Sequence, residues 1–265
     1  MALDQSQGHK PTQKSLSSEV FDVVVVGAGV VGCAIARRFT LKGARVAVVE
    51  KASDILDGAS KANSAILHTG FDAPPDSLEL SCIRNGYSEY LKIHKSLGLP
   101  LEKSGAHVIA WNEAEEEKLE AIVKQAHGNG IGDVRQIGAD ELSQAEPNLA
   151  RTALSAITIP GEAIIDPWSA PYVYLEQALV NGAEIFRACE VTGGEFDGSQ
   201  WRLWTTRGAL SCRHVINCAG LYGDLVDKAV LGSAAFHITP RKGQFVVFDK
   251  AAAGLVNSVI LPVPT

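Results

Sequence analysis

Six consecutive residues carry the strongest chemical signal in the chain: Gly27-Ala28-Gly29-Val30-Val31-Gly32. Each glycine has a physical task. Gly27 lets the backbone turn sharply out of a strand. Gly29 lets it approach a phosphate with no Cβ in the way, and Gly32 lets a helix pack close to a sheet. A helix starting there, with Ala28 in its entry loop, offers free N–H groups and a positive dipole end to a pyrophosphate. Glu50 stands 18 residues after Gly32. A carboxylate there accepts hydrogen bonds from ribose hydroxyls and repels a 2′-phosphate. The chemistry is binding of an ADP-containing dinucleotide. The glycines do not separate FAD from NAD, because both carry ADP. The bland alternatives are a glycine-rich turn without a ligand and, for Glu50, a solvated strand-end acid.

His68 is the second candidate, in Ala65-Ile66-Leu67-His68-Thr69-Gly70. Imidazole is the side chain best matched to proton transfer near neutral pH. Its alternative is a buried histidine satisfied by backbone. Arg241 suits two-point pairing with a carboxylate or phosphate, or is an ordinary surface arginine. Asp166 before Pro167 reads as a helix cap rather than a catalytic acid. His107, Trp111, Trp201 and Trp204 read as packing residues. The acidic run 115–117 reads as a solvated helix face. The five cysteines are odd in number, widely spaced and without a C-x-x-C pair. That pattern suggests reduced, mostly buried thiols of a cytosolic protein. No metal site is expected, since the histidines lack H-x-x-x-H spacing.

The elements that must position these residues are legible in outline. Residues 21–26 form a β-branched run that reads as a strand buried on both faces. A helix over 30–42 closes at Gly43, and a second strand over 44–49 ends on Glu50. Residues 51–75 read as loop. Helices are predicted over 76–98, 113–127 and 139–146, and from Asp166-Pro167 to Asn181-Gly182. Residues 101–111 read as one strand. Segments 190–196 and 201–206 flank Asp197-Gly198 as a hairpin. A strand over 211–217 leads into Cys218-Ala219-Gly220. Residues 245–248 and 258–261 are strand-like.

Several of these segments, taken in order, resemble one family. They are Val24 to Gly32 with Glu50, then Gly58-Ala59-Ser60-Lys61-Ala62-Asn63-Ser64, running on through His68 to Gly70. Gly161-Glu162-Ala163-Ile164-Ile165-Asp166-Pro167, Val215-Ile216-Asn217-Cys218-Ala219-Gly220-Leu221-Tyr222 and Pro240-Arg241-Lys242-Gly243-Gln244 follow. The chain resembles the D-amino-acid-oxidase-like superfamily of FAD enzymes, in its glycerol-3-phosphate dehydrogenase and L-2-hydroxyglutarate oxidase branch. The last segment is similar to the start of a substrate-lobe strand in such enzymes. The resemblance implies FAD as cofactor. It implies that Gly27, Ala28, Gly29, Gly32 and Glu50 hold the ADP part, with Lys51 beside the adenosine. Ser60, Asn63 and Ser64 would lie along the pyrophosphate and flavin side. Val191 would meet the adenine edge through its backbone, and Ala219-Gly220 would pass close to the cofactor. His68 would lie near the flavin ring, to position substrate, accept a hydroxyl proton or bond the flavin. The branch usually has arginine where this chain has Ala62 and glycine where it has Ala65, which leaves the subfamily open.

The implied fold is α/β. A Rossmann-like FAD-binding domain with a parallel central sheet interleaves with an α+β substrate lobe rich in antiparallel strands. The expected division is a polar, disordered tail over 1–18, a binding domain over 19–90 and 160–230, and a substrate lobe over 91–159 and 231–265. The expected substrate is a small hydroxy acid or polyol phosphate, and the acceptor is oxygen, a quinone or a redox protein. The alternatives are an amine or amino-acid oxidase, an NAD-binding protein, or a truncated, non-catalytic remnant. The chain stops in a β-rich region, which suggests an incomplete fold. A net charge of −6 with 20% charged residues lacks the basic face that nucleic-acid binding needs. The apolar stretch 23–36 falls short of a membrane span. The expected location is the cytoplasm, with peripheral association at the inner face of the membrane as a second option.

Overall fold

The computed structural model of the chain describes residues 15–264. In chain order the elements are β1 (Ser15–Val26), α1 (Val30–Thr40), β2 (Val46–Val49), β3 (Ile66–Leu67), α2 (Leu78–Ile93), β4 (Leu101–Glu102) and β5 (Ala106–Ala110). Then come α3 (Glu113–Gly128), β6 (Arg135–Gly138), α4 (Ala139–Ala145), β7 (Ser155–Ile159), β8 (Ala163–Ile165) and α5 (Ser169–Val180). The last are β9 (Glu184–Phe186), β10 (Val191–Phe196), β11 (Trp201–Thr205), β12 (Gly208–Asn217), α6 (Gly223–Leu231) and β13 (Val259–Pro262). The fold is mixed α/β. It divides into two discontinuous units, residues 1–63 with 167–242 and residues 64–166 with 243–265.

The first unit is built on a six-stranded sheet of order β10-β11-β12-β1-β2-β9. Strands β12, β1, β2 and β9 run parallel, and β10 and β11 add an antiparallel hairpin. The valine run explains the parallel centre. Val23, Val25, Val46 and Val48 pack with Cys33 and Ala36 of α1 and Leu175 and Ala178 of α5. Val24, Val26, Ala47 and Val49 pack on the opposite face with Leu203, Leu210 and Val230. Both faces are dry, so the strands need apolar residues at every position. The hairpin turns where Asp197-Gly198 predicts it. Gly198 has φ +100°, and Asp197 Oδ1 accepts from the Ser199 and Gln200 N–H groups.

The second unit holds a four-stranded sheet, β13-β5-β7-β6, and a three-stranded sheet, β3-β8-β4. Helix α3 covers one face of the larger sheet, where Leu119 and Ala126 meet Val108, Ile157 and Ile159. Leu142 of α4 meets Ile109, Ile137 and Ala156 on the other. Asn112 caps α3 by accepting from Glu115 N–H at 3.0 Å, and first-turn acids oppose the helix dipole. Ser77 caps α2 in the same way.

Several expectations change. Of the tail predicted over 1–18, residues 1–14 lie outside the described residues, while 15–18 begin β1. The ten-residue β12 recruits them, pairing Ser15 with Ala209 and Val20 with Ser211, so ladder hydrogen bonds rather than apolarity order this polar stretch. The strand predicted over 101–111 breaks at Gly105, whose φ is +64°. Strands β3, β6, β7, β8 and β9 fall where the sequence predicts none, β3 within the stretch 51–75 read as loop. Helix α5 starts at Ser169 after Trp168, so Asp166 is not its N-cap and Pro167 is not its first residue. Residues 240–248 form no strand; Phe245, Val246, Val247 and Phe248 are exposed, with no ladder partner among the described residues. Helix α2 groups with the second unit, so the first boundary falls at 63/64 rather than 90/91.

Candidate functional site

The C-terminal ends of three parallel strands converge at the glycine turn. Gly27 N–H bonds the Val49 carbonyl at 2.8 Å, and Cys218 N–H bonds the Val26 carbonyl at 2.8 Å. Gly27 has φ +102°, and a Cβ there would lie 2.5 Å from the Cys218 carbonyl oxygen and 3.2 Å from the Ala219 Cα. A Cβ on Gly32 would lie 1.9 Å from the Gly27 carbonyl oxygen. These two glycines are needed by the fold itself. Gly29 differs: its φ is −74°, and a Cβ would meet only the Ser60 hydroxyl, at 3.1 Å. The structure thus brings Gly27, Gly29, Gly32, Ser60 and Ala219 together. Gly220 follows with φ +53° in a short 3-10 turn.

Helix α1 begins at this turn with no side-chain cap of its own and no acid in its first turn. Ser60 Oγ accepts from Val30 N–H at 3.0 Å. An oxygen therefore already occupies a donor at the helix N-terminus, as a phosphate oxygen would. Asn63 Nδ2 donates to the Ser60 carbonyl at 3.3 Å. Ser64 falls in the second unit.

Glu50 is buried at the end of β2. Its Oε2 accepts from Ala28 N–H at 2.7 Å and its Oε1 from Ala52 N–H at 2.8 Å. The expected solvated alternative does not hold. Each carboxylate oxygen keeps a second lone pair for a ribose hydroxyl. Lys51 places its ammonium 3.0 Å from the centre of the Tyr222 ring, a cation–π contact. Val191 is buried with Val49 and Cys189 at the edge of the same cluster. The residues present fit the ADP half of a dinucleotide: an open glycine, a helix N-terminus and a carboxylate with spare acceptor capacity.

The thiols nearby are inert. Burial, with Glu50 and Cys218 adding, pushes the Cys33 thiol up to about 12. Burial pushes Cys218 up to about 11 and Cys212 to about 12.

His68 belongs to the second unit. Strand β3 pairs antiparallel with β8, Leu67 opposite Ala163, so the next pair outward is His68 and Glu162. His68 Nδ1 lies 2.9 Å from Glu162 Oε2. The contact is an ion pair when His68 is protonated, and Oε2 has no other hydrogen-bond partner among the described residues. Glu162 is fully buried, and its Oε1 accepts from Thr69 N–H at 2.7 Å and Thr69 Oγ1 at 2.8 Å. Tyr87 Oη donates to the Gly161 carbonyl at 2.7 Å. The Glu162 carboxylate raises the His68 pKa above its ordinary value, against the opposing effect of burial; Asp72 adds a smaller push upward. The imidazole therefore faces a buried carboxylate rather than backbone. Sequence reasoning missed Glu162. Its signal was a lone acid in the apolar run Gly161-Glu162-Ala163-Ile164-Ile165.

Residues 22–265 match the family model of the FAD dependent oxidoreductases. This chain belongs to that family. FAD rather than NAD is the family's cofactor. The chain is 32% identical over 246 residues to the glycerol 3-phosphate dehydrogenase of Caloramator mitchellensis, covering 93% of this chain and 51% of that protein. It is 29% identical to the L-2-hydroxyglutarate dehydrogenase of Indibacter alkaliphilus, covering 92% of this chain and 61% of that protein. Among solved structures it is similar to the FAD-bound L-alpha-glycerophosphate oxidase of Mycoplasma pneumoniae, with a TM-score of 0.80 and 26% identity, over 93% of this chain and 66% of that one. The FAD dependent oxidoreductase chain thus spans about half to two-thirds of the length of these relatives. Among its described residues no helix is long and apolar enough to cross a membrane, and no group of three or more His, Cys, Asp or Glu is placed to hold a metal ion.

Proposed function

We propose that this chain binds FAD through its first unit and oxidises a small anionic hydroxy compound, such as glycerol 3-phosphate or 2-hydroxyglutarate. The observation that carries the reading is the packing of the β12 turn, Cys218-Ala219, against Gly27. A second strand end, contributed after a long insertion, closes on the glycine turn; NAD-binding sheets also set a strand on this side of the first, so the choice of FAD rests on the family. The names of the relatives support the substrate class.

Gly27, Ala28, Gly29 and Gly32 hold the pyrophosphate, with Ser60, Asn63 and Ser64 on its flavin side. Glu50 takes the ribose. Lys51 and Val191 border the adenosine, and Ala219-Gly220 border the cofactor. When bound, FAD supplies the hydride acceptor. His68 takes the proton of the substrate hydroxyl, for which it must be neutral. The electron acceptor is oxygen, a quinone or a redox protein. The same reading places the protein in the cytoplasm, where free thiols such as the five here persist; association with the inner face of the membrane is its finer option.

Anaerobic mixing of the FAD-loaded chain with glycerol 3-phosphate or L-2-hydroxyglutarate tests this. Bleaching of the flavin band by either compound is expected. A loaded protein reduced by neither, yet reduced by an amino acid, would contradict the substrate class.

A further inference from the structure

We infer that Glu162 is a positioning residue for His68, holding the imidazole proton on Nδ1 so that Nε2 is the free base. The inference rests on the proposed role of His68 and adds the group that makes the role workable. Three observations carry it. The register of β3 against β8 sets the two residues opposite each other. Glu162 is fully buried while half of its carboxylate is left without a hydrogen bond. The polar atom that faces that orphaned oxygen is His68 Nδ1, at 2.9 Å.

A buried carboxylate oxygen is costly unless a donor faces it. Glu162 Oε1 already has two donors, both from Thr69, so it fixes the orientation of the carboxylate. Oε2 accepts only, and a proton on Nδ1 is what it can use. That leaves Nε2 with its lone pair. When the substrate O–H bond breaks, its electron pair stays on oxygen and the proton bonds to Nε2. The imidazolium so formed keeps its Nδ1 proton toward Glu162, which stabilises the positive charge.

The charged and titratable groups around the pair have consistent signs. Glu162, on the turn before β8, and Asp72, in the loop after β3, both favour the imidazolium. Tyr87 of α2 approaches the same turn through Gly161; burial, then Glu162 and Asp133, holds its phenol neutral by raising its pKa. Gly161 leaves the turn no slack, since a Cβ there would lie 2.9 Å from Thr69 Cγ2.

Histidine-selective 15N NMR on the full chain reads tautomer and titration midpoint together, independently of turnover. For the unaltered protein the neutral His68 ring is expected as the Nδ1–H tautomer, with a midpoint above ~6.5. In Glu162→Gln the amide oxygen replaces Oε1 at Thr69, and the NH2 group then faces Nδ1. The neutral ring should switch to Nε2–H and its midpoint should fall. In the loaded enzyme kcat should drop roughly 100-fold, with KM changed less than about threefold. If Glu162→Gln does not fold, the unaltered protein decides alone. Thr69→Val, which keeps the pair, should retain the raised midpoint. A neutral Nε2–H ring in the unaltered protein, or a Glu162→Gln variant with unchanged tautomer and midpoint, overturns the inference. If His68→Gln keeps full turnover while the NMR result holds, the proposed role of His68 fails and the positioning stands.

Discussion

The Glu50 carboxylate holds the glycine turn from below: its Oε2 accepts the Ala28 N–H at 2.7 Å, across the gap between the ends of β1 and β2. With Oε1 on Ala52 N–H, one buried side chain fixes two loops that lead away from the sheet. A group expected to serve a ligand therefore also serves the fold.

Glu50→Ala should lower stability by about 2–6 kcal/mol, since two part-buried or buried N–H groups lose their acceptor at roughly 1–3 kcal/mol each. Urea unfolding checks it. Glu50→Gln keeps one good acceptor and turns its amide toward the other N–H, so it should cost about half as much. A variant equal in stability to the original would show that the two N–H groups find water instead.

The glycines should separate into two classes. Gly27→Ala strains a φ of +102° and pushes against the Cys218 carbonyl, and Gly32→Ala meets the Gly27 carbonyl at 1.9 Å. Both should reduce the folded yield. Gly29→Ala should fold normally, because its φ is ordinary and only the movable Ser60 hydroxyl stands near. Its cost should be paid in cofactor affinity, by at least about tenfold, the equivalent of ~1.4 kcal/mol. Circular dichroism and FAD titration on the three variants give the comparison.

The His68–Glu162 pair should leave a signature in pH dependence. Because the folded His68 pKa is raised, the charged pair stabilises the fold fully below the unfolded value of ~6.5 and loses that contribution as pH rises through the folded value. Activity runs the other way. A base must be neutral, so kcat/KM should rise with pH through the same folded value. Chemical denaturation and steady-state rates between pH 5 and 9 test both limbs, and opposite slopes about one midpoint are expected.

The segment Phe245-Val246-Val247-Phe248 exposes four consecutive apolar side chains, Val247 to 89%. Such a run promotes self-association. Val247→Lys should lower the apparent mass in light scattering at high protein concentration without changing the melting temperature. An unchanged mass would mean that this surface is not sticky.

The sequence was most legible where one physical demand acts on every residue. The valine run of β1 and the glycine turn are of this kind: a strand buried on both faces has no polar positions, and a close backbone approach admits no Cβ. It was least legible where a partner distant in sequence decides. Ser15–Ser18 look like solvated chain until β12 offers a ladder on either side of them, Ala209 to Ser15 and Ser211 to Val20. Glu162 looks like an exception in an apolar strand until Thr69 and His68 arrive from β3, 93 and 94 positions earlier. Residues 245–248 fail in the opposite sense. Their composition suits a strand, yet no neighbouring strand among the described residues receives them.

FAD titrated into the full 265-residue chain, followed by flavin fluorescence and absorbance, measures the proposed binding step itself. The expected result is saturable quenching at one FAD per chain, a shifted flavin band, and affinity weakened at least tenfold in Gly29→Ala. A folded chain that takes up no FAD, or that binds NADH in its place, would contradict the reading of Gly27 to Gly32 as the seat of a flavin dinucleotide.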